Sequence, residues 1–96
     1  MINNNSNFLH IGGDMVVNMK NVIGIFDVKS ALKSKHTKKF LKLNEKKGMT
    51  RKITKEETRS FILVEEKEQR TQKASEVIVY YSPIAALTLY KRVGSI

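Results

Sequence analysis

The sequence predicts a small α+β domain, in which a mostly antiparallel sheet of about five short strands is accompanied by two short helices. Three features predict this class: short β-branched apolar runs, a double glycine between the first two runs, and a lysine-rich segment with helical spacing. With 96 residues, the chain has room for one hydrophobic core. We expect a disordered polar tail at 1–7, a single domain at 8–93 and a C-terminal tail at 94–96.

The first three strands lie in the N-terminal part of the chain. Phe8–Ile11 and Met15–Asn18 flank Gly12–Asp14, and this predicts a β-hairpin because glycine tolerates the positive φ angles of tight turns. Val22–Phe26 is rich in β-branched residues and predicts a strand that is buried on both faces. Gly24 within it predicts a bulge or a close backbone approach.

The first helix is predicted at 37–47, with Thr37 as the N-cap and Gly48 as the terminator. Its expected inward face is narrow and consists of Phe40, Leu41 and Leu43. Lys35, Lys39, Lys42 and Lys46 follow spacings of four, three and four, and therefore stack along one outward face. We call these four residues the lysine stripe.

Ser60–Val64 and Val77–Tyr81 are predicted strands, and the charged connection Glu65–Glu76 closes a hairpin between them. Ser82 and Pro83 predict the start of the second helix, with a capping hydroxyl followed by proline at the first helical position. Its inward residues are expected to be Ile84, Leu87 and Val93. Two helices with such narrow apolar faces are expected to leave part of the sheet uncovered, and this predicts self-association.

Charge is the strongest functional signal. The chain has a formal net charge of +9, but Lys29 to Lys55 alone holds eleven Lys/Arg against Glu45, a net of +10. Such a segment predicts binding to a polyanion, with DNA phosphates as the first candidate. The alternative is that the lysines only solvate a surface helix. The candidate phosphate contacts in this segment are Lys39, Lys42, Lys46, Arg51, Lys52 and Lys55.

No pattern in the sequence predicts catalysis. There are no cysteines, His10 and His36 are isolated, and no nucleophile or paired-carboxylate spacing is present. We therefore expect no enzyme activity, no metal, no cofactor and no small-molecule substrate. The three tyrosines do not interleave with the basic residues, so packing is a better explanation for them than base stacking. No apolar run is long enough for a signal peptide or membrane helix, and a cytoplasmic protein is expected.

Similarity to a known family is concentrated at the two ends of the chain. It covers Phe8–Asp14 with Val16 and Val17, then Val22–Asp27, and finally Val79–Ile84 with Leu87–Leu89, Lys91 and Arg92. These residues resemble the extracellular matrix regulator B (RemB, YaaB-like) proteins of Gram-positive bacteria, which are related to the RemA transcriptional regulators of biofilm-matrix genes.

The resemblance implies a cytoplasmic protein that assembles into ring-like homo-oligomers and binds DNA through arginines. Lys20 and Arg59 match the family's basic residues before two of the strands. Glu56 and Glu57 stand where RemA carries a neighbouring arginine pair.

Three hypotheses follow for the function. The first is a homo-oligomeric, DNA-binding transcription regulator of the biofilm matrix type, which binds duplex DNA through the six basic residues above together with Lys20 and Arg59. The second is an oligomeric scaffold whose basic helix docks on an acidic protein. The third is attachment to an anionic membrane, which is disfavoured because the helix has a narrow apolar face.

Overall fold

The computed structural model describes residues 7–66 and 76–94. In chain order the elements are β1 (Phe8–Gly12), β2 (Met15–Asn18), a 3-10 helix (Met19–Asn21), β3 (Val22–Asp27), α1 (Val28–Ala31), α2 (Lys35–Lys46), β4 (Thr50–Lys52), β5 (Ser60–Glu66), β6 (Glu76–Ser82) and α3 (Ala86–Gly94). Strands β1 and β2 form one sheet, and the other four form a second sheet in the order β3-β5-β6-β4.

The α+β class with mostly antiparallel strands is confirmed, but the numbers of elements were wrong. Within the described residues there are six strands in two sheets and three α-helices. The additional elements are the short ones. Strand β4 is a polar Thr-Arg-Lys segment that pairs parallel to β6, and α1 has only four residues. Elements this short contain too few residues to display a period in the sequence.

The N-terminal hairpin forms as predicted. Gly12 and Gly13 have φ angles of 128° and 54°, which lie in the region that favours glycine. Leu9 pairs with Val17, and both side chains are buried together with Ile11. The opposite face of the hairpin points to solvent.

Strand β3 lies at one edge of the large sheet and is not buried on both faces, which corrects the prediction. Only Ile25 is buried, whereas Ile23 is 56% exposed. The predicted bulge at Gly24 is confirmed by a register shift, and the ring of Phe26 lies over this glycine, 2.7 Å from where a β-carbon would stand. The Tyr90 hydroxyl donates a hydrogen bond to the Ile25 carbonyl and so covers part of the sheet edge.

The large sheet is covered on both faces. On the first face, the hairpin and α3 pack against the sheet, burying Leu9 and Leu89 with Ile62 and Tyr80. On the second face, Leu41 of α2 belongs to a smaller core with strand residues that include Phe61 and Val79, and α1 adds partly buried residues. The expectation that two helices leave part of the sheet uncovered holds at edge strand β3, where Ile23 and Phe26 are exposed. Elsewhere the hairpin serves as an additional cover.

Helix α2 begins two residues earlier than predicted. The hydroxyl of Ser34 accepts a hydrogen bond from the Thr37 N–H at 3.2 Å, so Ser34 is the N-cap and Thr37 lies inside the helix. Gly48, with φ of 75°, follows its end as predicted. Leu43 is 52% exposed, and buried Asn44 takes the inward place that was expected for it.

Helix α3 begins at Ala86 and not at Pro83, as the sequence had predicted. Ser82, the predicted cap, is the last residue of β6. Leu87 is exposed, so the prediction of an inward Leu87 was wrong, and Ala86 and Leu89 are the buried residues. Ile84 and Val93 pack against the core as expected.

Ser82 has a different role from the predicted cap. It is fully buried; its hydroxyl donates to the Ile11 carbonyl at 2.6 Å and accepts from the Ile84 N–H at 3.0 Å. These hydrogen bonds tie the hairpin to the chain that leads into α3.

The predicted strands at 60–64 and 77–81 are confirmed as β5 and β6, which pair antiparallel. They are longer than predicted, since Glu65, Glu66 and Glu76 belong to them. The rest of the predicted connection, 67–75, lies outside the described residues, as do 1–6 and 95–96 of the predicted tails. Asn7 accepts a hydrogen bond from the Met19 N–H at 2.7 Å.

Candidate nucleic-acid interface

The lysine stripe is exposed along the helix face that is turned away from the sheet. Leu41 and Asn44 are buried on the inward face, and the four lysines lie on the other side of the helix. From residue 35 to residue 46 the stripe extends about 16 Å at about 1.5 Å per residue. Because a DNA strand carries one phosphate per about 3.4 Å of axis, the stripe is long enough to face about four phosphates.

The stripe lysines have no hydrogen-bonding or ion-pairing partner among the residues that the structure describes. An ammonium group that already pairs with a carboxylate gains less from a phosphate. In α2, five lysines stand against the single acid Glu45. Lys38, which was not among the predicted contacts, lies on the flank of the same helix and adds to its positive potential.

A buried amide holds α2 against the edge of the sheet. The side-chain N–H of Asn44 donates to the Val77 carbonyl at 2.8 Å, and the Asn44 backbone carbonyl accepts from the Met49 N–H at 2.9 Å. The next strand, β4, pairs with β6 only from Thr50 and Val79 onward. The Asn44 side chain thus gives the Val77 carbonyl a hydrogen bond that a longer β4 would have supplied from a backbone N–H.

The two basic residues of β4 face opposite sides of the sheet. Arg51 pairs with Tyr80, whose side chain belongs to the core on the first face, and Lys52 pairs with Tyr81 on the second face. Arg51 donates hydrogen bonds to the carbonyls of Gly48 and Thr50 at 2.7 and 3.1 Å. The structure thus brings Lys52, but not Arg51, to the face on which α2 packs.

Lys55 and Arg59 lie in the connection between β4 and β5, which also contains Glu56 and Glu57, and all four side chains are exposed. Arg59 is positioned by its backbone, which donates to the Ser82 carbonyl at 2.8 Å. This end of the sheet is therefore mixed in charge, in contrast to α2.

A carboxylate also stands close to Arg59. Asp27 caps α1, and its pKa is lowered mainly by the hydrogen bond from the Ser30 N–H, with further contributions from the Ser30 hydroxyl and from the charges of Lys29 and Arg59. The basic side chain of Arg59 thus contributes to an internal electrostatic contact.

Lys20 is remote from Arg59. It lies in the 3-10 helix before β3, at the end where Val22 pairs with Val64, whereas Arg59 is at the end where Asp27 pairs with Ser60. At about 3.4 Å per residue, the length of β3 puts roughly 17 Å between these ends. The two basic residues suggested by family resemblance do not form one cluster within this chain.

The remaining candidate groups have structural partners. Tyr80 is buried, and the ring of Tyr81 contacts that of Phe61 edge-on, with 6.3 Å between the ring centroids. His10 Nε2 makes a hydrogen bond with the Gly13 carbonyl at 2.6 Å. Across residues 7–66 and 76–94, no three His, Asp or Glu side chains group in a way that could hold a metal ion.

Within the described parts of the chain, no helix has the length and apolarity needed to cross a membrane.

Comparison with curated proteins finds no match. The model of one family, RemA-like, described as extracellular matrix regulatory protein A-like, matches residues 8–93. This range is most of the chain and includes all three α-helices except the last residue of α3. The chain therefore belongs to the RemA-like family.

Proposed function

We propose that this protein is a DNA-binding transcription regulator of extracellular-matrix genes, of the RemB type, which acts in the cytoplasm as a homo-oligomer. The observation that carries the proposal is the lysine stripe, an exposed row of cations without partners among the described residues. Membership of a family of matrix regulators supports the biological role.

The stripe provides phosphate contacts, which position a protein on DNA without reading its sequence. Lys52 lies toward the same face of the sheet and extends this surface. Lys55 and Arg59 lie in the same exposed connection as Glu56 and Glu57, whose negative charges repel phosphates. We therefore assign the main contact to α2 and a secondary role to the connection between β4 and β5.

Self-association is supported by exposed apolar side chains on the first face of the fold. They include Phe8 and Val16 on the outer side of the hairpin and Leu87 on α3, all more than half exposed. Soluble proteins commonly bury such side chains between subunits. Because α2 lies on the second face, copies that meet through the hairpin and α3 keep the stripe accessible.

A salt titration of binding to duplex DNA tests the proposal. Four phosphate contacts give a slope of about −3.6 in log K against log[salt], so affinity falls about 150-fold between about 50 and 200 mM salt. Replacing Lys39, Lys42 and Lys46 with Glu should abolish binding at the upper concentration. A flat response to salt, or no binding at low salt, would refute the proposal.

A second function is docking of the basic helix on an acidic protein surface. It is favoured because Glu56 and Glu57 stand where, by the family resemblance, RemA carries an arginine pair. A comparison of binding to duplex DNA and to heparin separates the two functions. If the native role is DNA binding, the wild type binds duplex more tightly than heparin. If the native role is docking, the wild type shows no preference for DNA over heparin.

A further inference from the structure

A cavity with charged and hydroxyl-bearing lining residues lies on the second face of the sheet, between the two N-terminal helices and the edge strand β4. It has a volume of about 470 Å³ and opens to solvent. This volume is within the range of small-molecule sites, which is about 300–1,000 Å³. Its lining residues come from α1, α2, β4, β6 and the connection between β4 and β5: Val28, Glu45, Thr50, Lys52, Thr58 and Tyr81.

Two opposite charges face this cavity without neutralising each other. Glu45 and Lys52 both line it, and neither has an ion pair or a side-chain hydrogen bond among the described residues. Glu45 is also the single acid between Lys29 and Lys55. The one carboxylate in the basic segment is therefore placed in the cavity together with an ammonium group.

Hydroxyl groups complete the lining. Burial, and then the negative charge of Glu45, raise the pKa of Tyr81, so its phenol stays protonated at neutral pH and can donate or accept a hydrogen bond. The Thr50 hydroxyl is buried with no hydrogen-bond partner among the described residues, which is uncommon in folded proteins. The cavity thus combines one cation, one anion and several hydroxyls beside an aromatic ring.

The charge around the cavity selects the class of ligand. A net of +10 between Lys29 and Lys55 attracts anions and repels cations. The Glu45 carboxylate only accepts hydrogen bonds, and two parallel N–H donors satisfy both of its oxygens at once, as in bidentate pairs. A ligand that fits both features of the cavity is an anion that also presents two adjacent N–H groups.

We propose that the cavity binds a guanine nucleotide, with Glu45 accepting hydrogen bonds from the two N–H donors on the base edge and Lys52 contacting the phosphate. Guanine carries a ring N–H next to an exocyclic amino group, whereas adenine offers an acceptor at the equivalent ring position. The ring of Tyr81 supplies an aromatic surface for the base. In duplex DNA the same edge of guanine is already paired, so base recognition by Glu45 does not depend on the proposed DNA contact, although the two sites share Lys52.

Calorimetry with GMP, IMP and AMP at one ionic strength tests the proposal. The three nucleotides carry the same phosphate charge, so attraction to the basic segment is equal and only the base differs. We expect GMP to bind at least tenfold more tightly than AMP, with IMP between them because it keeps one of the two donors. Equal affinities for GMP and AMP, or no binding of GMP at millimolar concentration, would overturn the proposal.

Single substitutions test whether Glu45 recognises the base and whether Lys52 contacts the phosphate. Glu45→Gln should remove the preference for GMP over AMP, while Glu56→Gln, an equal change of charge at an exposed acid outside the cavity, should leave the preference intact. Lys52→Gln should weaken GMP and AMP by the same factor. A preference that survives Glu45→Gln would show that another group reads the base and would overturn the assignment.

Discussion

Replacing Asn44 with Ala should destabilise the fold far more than an ordinary substitution on a lysine-rich helix. Asn44 is only 5% exposed, and its amide donates the hydrogen bond to the Val77 carbonyl at 2.8 Å. Losing the bond costs about 1 kcal/mol, and leaving the partly buried Val77 carbonyl without this partner adds about 1–2 kcal/mol. We therefore expect the free energy of unfolding to fall by about 2–3 kcal/mol, which is a large part of the 5–15 kcal/mol typical of a domain.

Urea denaturation followed by circular dichroism measures this change, at one fixed protein concentration because self-association alters apparent stability. For a domain of this size, the same loss lowers the Tm by roughly 10–20 °C. Asn21→Ala, at an exposed asparagine of the 3-10 helix, is the matched control and should change stability by less than about 0.5 kcal/mol. A loss of less than about 0.5 kcal/mol for Asn44→Ala would refute the anchoring role of the amide.

Three other predictions follow from contacts in the fold. Ser82→Ala removes both hydrogen bonds of a fully buried hydroxyl and should lower the free energy of unfolding by about 2 kcal/mol, measured in urea; an unchanged denaturation midpoint would contradict this. Burial raises the pKa of Tyr80 and Tyr81 above the ordinary value of 10.0, so the unfolded chain loses these protons first. The contribution of the two phenols to stability should therefore be fully present below about pH 9 and be lost as the pH rises through about 10 and above. Urea denaturation curves between about pH 9 and 11 measure this loss of stability, and Tyr81→Phe should make it smaller. A free energy of unfolding that rises with pH in this interval would contradict the raised tyrosine pKa values. Lys42→Gln should reduce the salt slope of DNA binding by about 0.9, whereas Lys91→Gln, on the opposite face, should leave it unchanged; equal effects would indicate diffuse electrostatics.

The sequence was sufficient to predict the elements with a strong apolar period. The hairpin, β3, β5 and β6 all carry β-branched runs that end in glycine or polar residues, and their positions were correct to within a few residues. Strand β4 could not be predicted because Thr50–Lys52 has no apolar residue: it pairs through its backbone, and the partner strand lies far along the chain. Pairing of this kind leaves no local pattern.

Burial was harder to predict than secondary structure. Leu43 and Leu87 were expected to point inward because they are apolar, yet both are more than half exposed. Asn44 was overlooked because an amide is buried only where a partner is available, and that partner, the Val77 carbonyl, is supplied by the tertiary structure.

The candidate site was predicted in part. The exposed lysine stripe follows directly from helical spacing, and the structure places it as expected. That Arg51 and Lys52 face opposite sides, and that Lys20 lies at the far end of β3 from Arg59, depends on strand pairing and could not be seen from charge alone. The cavity gave no signal either, since its lining residues are scattered from Val28 to Tyr81.

The bond between Tyr90 and the edge strand β3 has a consequence for how copies of this protein can join. A sheet grows by adding strands to an edge whose backbone groups are unpaired. Here the Ile25 carbonyl, in the middle of one edge strand, already has a partner, and the other edge is the three-residue β4 with two cationic side chains. Copies that meet at the large sheet would therefore join through side chains rather than by adding strands to its edges, so such a contact could separate without opening the sheet.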